Sequence, residues 1–177
     1  MDTLQTDRLL LRPLDIADAP FILNLLNQPS FLHNIGDRGV HSLLEAEGYI
    51  QAGPLKSYER FGFGLMLVTL KNSRIPLGIC GLIKRDTLEN IDIGFAFLPE
   101  FWSKGYATEA ASAILADGKN RLNLGRIVAI VLPGNAPSIR VLERIGLKFE
   151  HSLRLPGDAV ELSLYANQPA TTLEEME

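Results

Sequence analysis

Residues 91–108, IDIGFAFLPEFWSKGYAT, set a carboxylate, a row of small residues and a glycine-led helix start close together. In an extended strand alternate residues share a face, so Ile91, Ile93, Phe95 and Phe97 form a large apolar side that belongs in a core. The opposite side carries Asp92, Gly94, Ala96 and Leu98, a shallow trough beside a carboxylate. Pro99 ends the strand, and Trp102-Ser103-Lys104-Gly105-Tyr106-Ala107-Thr108 leads into a helix. The first turn of a helix exposes unpaired N–H groups and a partial positive charge, which together attract phosphate. Gly105 permits backbone geometry closed to other residues, Ala107 allows close approach, and Lys104 adds a point charge. The same residues also suit plainer roles: Gly94 and Ala96 as a seat for a packed helix, and Gly105 as an ordinary helix start. A P-loop and a Gly-x-Gly-x-x-Gly fingerprint are both missing from the sequence.

Such a junction needs a strand before it and a helix after it, and the surrounding pattern supplies both. Residues 8–14 predict a first strand, with Pro13 at a sheet edge. Asp15 or Asp18 caps a helix to about Leu26, Pro29 stops it, and 30–41 form a loop. Ser42 and Glu45 have capping-box spacing for a second helix that ends near Gly53-Pro54. Apolar runs at 62–70, 76–84 and 88–98, joined by hairpin-length links, predict an antiparallel meander. A helix over 105–120, a strand at 126–132 and a helix over 136–145 follow; Asn135 caps the last and Gly146 closes it. Strands 147–154 and 159–166 flank a Pro156-Gly157-Asp158 turn. The order predicts an α+β (mixed α/β) domain over 1–167, with about seven mostly antiparallel strands and helices on both faces. The acidic segment 168–177 is expected to be a disordered tail.

Composition narrows the function. The chain has 177 residues, 46% hydrophobic, with 17 Lys+Arg against 21 Asp+Glu, enough for one domain with a proper core. A pI near 5.4 argues against a general nucleic-acid binder. Residues 101–150 nevertheless carry seven Lys/Arg and four acids, so the segment is +3 while the remainder is −7. A basic third inside an acidic chain suits a small polyanion, although random surface scatter gives the same count. No apolar run is long enough to cross a bilayer and no basic-then-apolar leader is present, so the expectation is a cytoplasmic protein without membrane contact. The single Cys80, in an apolar strand, is expected to be buried and inert. His33, His41 and His151 are scattered without metal spacing, so no metal site is expected.

The run Trp102-Ser103-Lys104-Gly105-Tyr106-Ala107 resembles motif A of the GCN5-related N-acetyltransferases, [Gln/Arg]-x-x-Gly-x-[Gly/Ala], with Trp102 at the first place. The longer LPEFWSKGYATEA looks like the ribosomal-protein (Rim-type) branch of that superfamily. TDRLLLRPLDIADA is similar to that branch's opening strand and helix, and NAPSIRVLERIGLKFE, residues 135–150, to its motif B. The resemblance covers roughly residues 3–165.

The resemblance implies acetyl-CoA as co-substrate, held between two splayed strands, and an amine as acceptor. Carried over, the backbone of Phe97 and Leu98 binds the pantetheine arm. The amides of Gly105, Tyr106, Ala107 and Thr108, with Lys104, hold the pyrophosphate. Asn135 contacts the arm, and Arg140 reaches the 3′-phosphate. The thioester oxygen takes a hydrogen bond from the N–H near Leu98. Asp92 stands where relatives often have Glu, as the base acting through water, with Glu161 in reserve. Ser138 stands in for a tyrosine acid, because the position seven after Asn135 is Leu142; a first-turn serine closing the helix end fits equally well. Tyr106 and Tyr165 are expected to pack. The acceptor side is expected at Phe31–His41 and the 156–158 turn, where Asp37 and Asp158 attract a cationic amine. The implied acceptor is a protein or peptide N-terminus, and a homodimer is compatible with the resemblance. A small-molecule acceptor, another acyl group, or a non-catalytic acyl-CoA sensor remains open from sequence alone.

Overall fold

Short apolar runs between turns fold into one mixed sheet in the order β1-β2-β3-β4-β5-β6-β8-β7. The computed structural model describes residues 2–157 and 159–168. Its strands are β1 Leu4–Gln5, β2 Leu9–Pro13, β3 Leu65–Leu70, β4 Pro76–Ile83, β5 Asp92–Phe97, β6 Val128–Val131, β7 Lys148–Arg154 and β8 Glu161–Ala166. From β1 to β5 all neighbours are antiparallel, as are β6–β8 and β8–β7. The β5–β6 pair is parallel and joins the two halves. The helices are α1 Ala19–Leu26, α2 Pro29–Asn34, α3 Leu43–Ile50, α4 Lys56–Phe61, α5 Tyr106–Asn120 and α6 Ala136–Arg144.

Both faces of the sheet are covered. On one face Ala110, Ala111 and Ile114 of α5 pack with Ile93, Phe97, Cys80 and Leu142. On the other, Ile22 and Leu25 of α1 and Ala46 and Ile50 of α3 pack with Leu67, Ile79 and Leu98. The two sides of β5 therefore feed two cores, and the expected trough is largely filled. Leu98 is buried, and a Cβ at Gly94 would lie 2.8 Å from Ile83 Cδ1.

The helical insertion departs from expectation twice. Residues 30–41 are not all loop, because Pro29 opens α2: its fixed φ and missing N–H suit the first helical position. The second helix does not stop at Gly53-Pro54. A π-helical turn, Gln51–Leu55, absorbs Pro54 and runs into α4, which ends at left-handed Gly62. The sheet also gains the two-residue edge strand β1. Asp158 and residues 169–177, the greater part of the expected tail, lie outside the described residues.

Candidate functional site

Strands β5 and β6 share a single register pair, Asp92 with Val128, closed by a 3.0 Å bond from Val128 N–H to Ile91 O. Beyond it the strands part, and each is followed by a helix, α5 and α6. Both helix starts thus lie at the carboxyl ends of two diverging parallel strands, where open α/β sheets bind ligands. The edge facing this opening can be assigned. Leu98 N–H donates to Leu77 O at 2.9 Å, so even-numbered backbone groups of β5 point to β4. Ile91 O points to β6, so the odd ones, Ile93, Phe95 and Phe97, face the gap. This corrects the expected use of the Leu98 amide: that donor is committed to the ladder, and the Phe95 and Phe97 amides are available instead.

The α5 start is built as a tight concave turn. Ser103 and Gly105 both adopt left-handed backbone, φ 59° and 80°, a geometry that turns successive amides inward. No side chain caps α5, whereas Asn135 caps α6 and Ser42 caps α3. Trp102 Nε1 donates to Phe97 O at 2.8 Å, tying the loop to the strand it leaves. Arg8 braces the turn from below. It donates to Lys104 O at 2.9 Å and to Glu109 Oε2 at 2.7 Å, and its guanidinium lies 4.6 Å from the Tyr106 ring centroid. Glu109 also accepts from Thr6 Oγ1 at 2.5 Å and Arg8 N–H at 3.0 Å. Burial works to raise the Glu109 pKa, but these bonds and the Arg8 charge outweigh it and hold the carboxyl below its usual range. Lys104 folds back, donating to Glu100 O at 2.9 Å. A cavity of about 260 Å³, lined by residues including Arg8, Lys71, Asn72 and Tyr106, flanks this corner.

Across the opening, Asn135 Oδ1 accepts from Ser138 N–H at 3.3 Å, leaving the Asn135 amide nitrogen and the Ser138 hydroxyl without protein partners among the described residues. Arg140 is exposed and unpaired there too. Leu142 is buried in the core, so no phenol points into the gap from that position. Glu161 is exposed at the start of β8. Tyr165 is buried against Phe149, ring to ring at 5.8 Å. Cys80 is fully buried, which pushes its thiol pKa up.

Asp92 sits at the point of divergence with its side chain 1% exposed. Both carboxylate oxygens lie 3.1 Å from Arg85 Nε. Burial raises its pKa and outweighs the lowering by Arg85, so the group is more basic than an ordinary aspartate.

A model of the GNAT acetyltransferase domain matches residues 8–148. The chain belongs to the GNAT acetyltransferase family. It is accordingly an acetyl-CoA-dependent N-acetyltransferase, with relatives named as such. One of them, the uncharacterized N-acetyltransferase YnaD of Bacillus subtilis (strain 168), is 31% identical over 145 residues, 82% of each chain. The crystal structure of an acetyltransferase from Agrobacterium tumefaciens str. C58 superposes with a TM-score of 0.81 at 28% identity, over 96% of this chain and 95% of that one. The fold is shared as well with RimL, a ribosomal L7/L12 α-N-protein acetyltransferase solved in complex with coenzyme A. That match has a TM-score of 0.79 at 20% identity and covers 93% and 97% of the two chains.

Several groups around this acetyltransferase's cleft carried no sequence signal. Nothing in the spacing pairs Arg8 with Glu109, 101 residues apart, or Arg85 with Asp92 across a turn. Asp37, expected to attract a cationic amine, is occupied by Gly39 N–H at 2.8 Å and His41 at 3.3 Å. No cluster of three or more His, Cys, Asp or Glu suited to a metal occurs among the described residues, and no described helix is long and apolar enough to cross a membrane.

Proposed function

We propose that this acetyltransferase modifies the N-terminal amine of a peptide or protein by direct attack on acetyl-CoA in a ternary complex. The observation that carries the reading is the uncapped, left-handed entry into α5 beside two parting strands. A diphosphate fits free first-turn amides, and a peptide-like pantetheine arm fits a free strand edge. In this reading Gly105, Tyr106, Ala107 and Thr108 hold the diphosphate with Lys104 nearby. The Phe95–Phe97 edge and Asn135 hold the arm, and Arg140 meets the 3′-phosphate.

An α-amine has a pKa of about 8 and is mostly protonated at neutral pH, so the site must take its proton. Asp92 accepts it through water; burial raises the carboxylate's pKa, and the ion pair with Arg85 opposes that rise and holds the side chain in place. The neutral nitrogen attacks the thioester carbon, and a β5 amide facing the gap, from Phe95 or Phe97, stabilises the oxyanion. The C–S bond then breaks as the N–C bond is completed. The proton that the nitrogen releases as the amide forms passes to the departing thiolate, which the Ser138 hydroxyl stabilises with a hydrogen bond. The products are an amide and CoA. No nucleophile–base pair of the Cys–His or Ser–His kind accompanies the cleft among the described residues, in keeping with a single transfer step.

The test is incubation with acetyl-CoA and matched panels of peptides, free amino acids and polyamines, following thiol release and the mass gain of one acetyl group. Peptides acetylated at the α-amine support the proposal. Turnover confined to polyamines or free amino acids replaces the acceptor assignment.

A further inference from the structure

The peptide unit between Lys104 and Gly105 opens the entry to α5, and it is held from outside the helix. Arg8 Nη1 donates to Lys104 O at 2.9 Å. The peptide is trans, so its N–H points opposite to its carbonyl. With the oxygen pinned toward Arg8 at the start of β2, the Gly105 N–H is turned to the other side of the turn. That N–H has no backbone acceptor among the described residues. The rest of the guanidinium lies against the same turn. Its Nη2 is 3.3 Å from where a Gly105 Cβ would be, and its carbon is 4.6 Å from the Tyr106 ring centroid.

Arg8 has a second partner at this corner. Glu109, in the first turn of α5, accepts from Arg8 Nε at 2.7 Å, from the Arg8 backbone N–H at 3.0 Å and from Thr6 Oγ1 at 2.5 Å. Its Oε2 also lies 2.6 Å from Arg8 Nη2. A carboxylate in a first helical turn is drawn to the same positive end that attracts phosphate. Unpaired, it competes with an anion bound there and repels it. Here the carboxylate is 18% exposed and its charge is cancelled at contact distance. One planar guanidinium thus meets a carbonyl and a carboxylate at once, through donors fixed relative to one another.

We propose that Arg8 is a positioning residue for the cofactor: it aims the Gly105 amide at the diphosphate and cancels the Glu109 charge beside it. This rests on the diphosphate reading of the turn given above and assigns what keeps that turn competent to bind. The role is indirect, exerted through the Lys104–Gly105 peptide and through Glu109. A lysine at position 8 supplies the charge but not the planar fork that reaches both partners together.

The experiment measures CoA binding by calorimetry and steady-state turnover of acetyl-CoA and acetylpantetheine. It is run on wild type, Arg8→Gln, Arg8→Lys and Arg8→Gln/Glu109→Gln, with thermal melting to establish that each is folded. The Arg8 side chain is 47% exposed, so these changes leave the core intact. If Arg8→Gln melts below the assay temperature, Arg8→Lys carries the comparison. Losing one charge-assisted contact, Arg8→Gln weakens CoA binding about tenfold and raises KM for acetyl-CoA by about as much, with kcat within about a factor of two. Acetylpantetheine, which lacks the diphosphate, keeps its kcat/KM. Arg8→Lys falls between wild type and Arg8→Gln. The double variant, freed of the unpaired carboxylate, binds CoA more tightly than Arg8→Gln alone. Arg8→Gln binding CoA within about a factor of two of wild type overturns the proposal. So does a loss of equal size with both acetyl donors, the mark of a general structural role, or a double variant no tighter than Arg8→Gln. Equal kcat/KM for the two donors in wild type removes the diphosphate reading and this inference with it. A wild-type preference for acetyl-CoA that Arg8→Gln keeps in full overturns this inference alone.

Discussion

If the turn before α5 holds the diphosphate as proposed, replacing Gly105 with Glu strikes it twice. The backbone there has φ +80°, and a Cβ would lie 3.3 Å from Arg8 Nη2. Arg8 has little room to retreat, being held by Glu109 at 2.6 Å and by Lys104 O at 2.9 Å. A left-handed non-glycine residue costs about 1–2 kcal/mol, and for a chain of this length each kcal/mol lowers Tm by about 2–4 °C. The charge effect falls on the ligand. A carboxylate about 6 Å from one phosphate charge is repelled by about 3 kcal/mol at an effective dielectric of 20. Solvent exposure and salt reduce this by half or more, and two phosphate charges then leave about 2–3 kcal/mol, or about a hundredfold in Kd. Gly105→Ala carries the strain without the charge, so it shows a similar Tm change but less than about a tenfold loss of CoA affinity. Calorimetry with CoA, thermal melting, and turnover of acetylpantetheine, which lacks the diphosphate, separate these effects. The reasoning is refuted if Gly105→Glu binds CoA within a factor of three of wild type. It is refuted equally if acetylpantetheine and acetyl-CoA lose turnover to the same degree.

Asp92→Asn lowers kcat/KM more at pH 7 than at pH 9, where more acceptor amine is already neutral; a pH-independent loss removes Asp92 from the proton path. Trp102 is the one tryptophan in the chain and its indole is bonded to Phe97 O, so CoA binding shifts its fluorescence emission. Trp102→Phe loses that bond, and with about 1 kcal/mol at stake CoA affinity falls about fivefold by calorimetry, against no change if the loop holds without it. Glu109 has a folded pKa below its unfolded value, so it contributes stability that is fully present above the unfolded value and is lost as pH falls through the lower folded one. Denaturant titrations of Glu109→Gln therefore show a shallower loss of stability in that acid window than wild type, and parallel curves would contradict the assignment.

Much of the architecture was legible in local pattern. The alternation in 91–98 marked β5 and its two faces, hairpin-length links marked the β3–β4–β5 meander, and Gly105 marked the entry to α5, because strand period, turn chemistry and helix termini are short-range properties. The insertion was less legible, since Pro29 and Pro54 carry ordinary breaker signals. Whether a proline opens a helix or is absorbed by a π-turn depends on what packs around it.

The sequence by itself marked the glycine-led start of α5, the strand that leads into it and the carboxylate of Asp92, because those depend on neighbours within a few positions. Only the tertiary structure decided how they are used. Ladder parity took the Leu98 amide out of the cleft and left those of Phe95 and Phe97 in it. Burial outweighed the Arg85 pair and made Asp92 more basic than an ordinary aspartate. Arg8 came to brace a helix start 96 residues away. These are consequences of strand pairing and desolvation between distant segments, for which a linear chain carries no local mark.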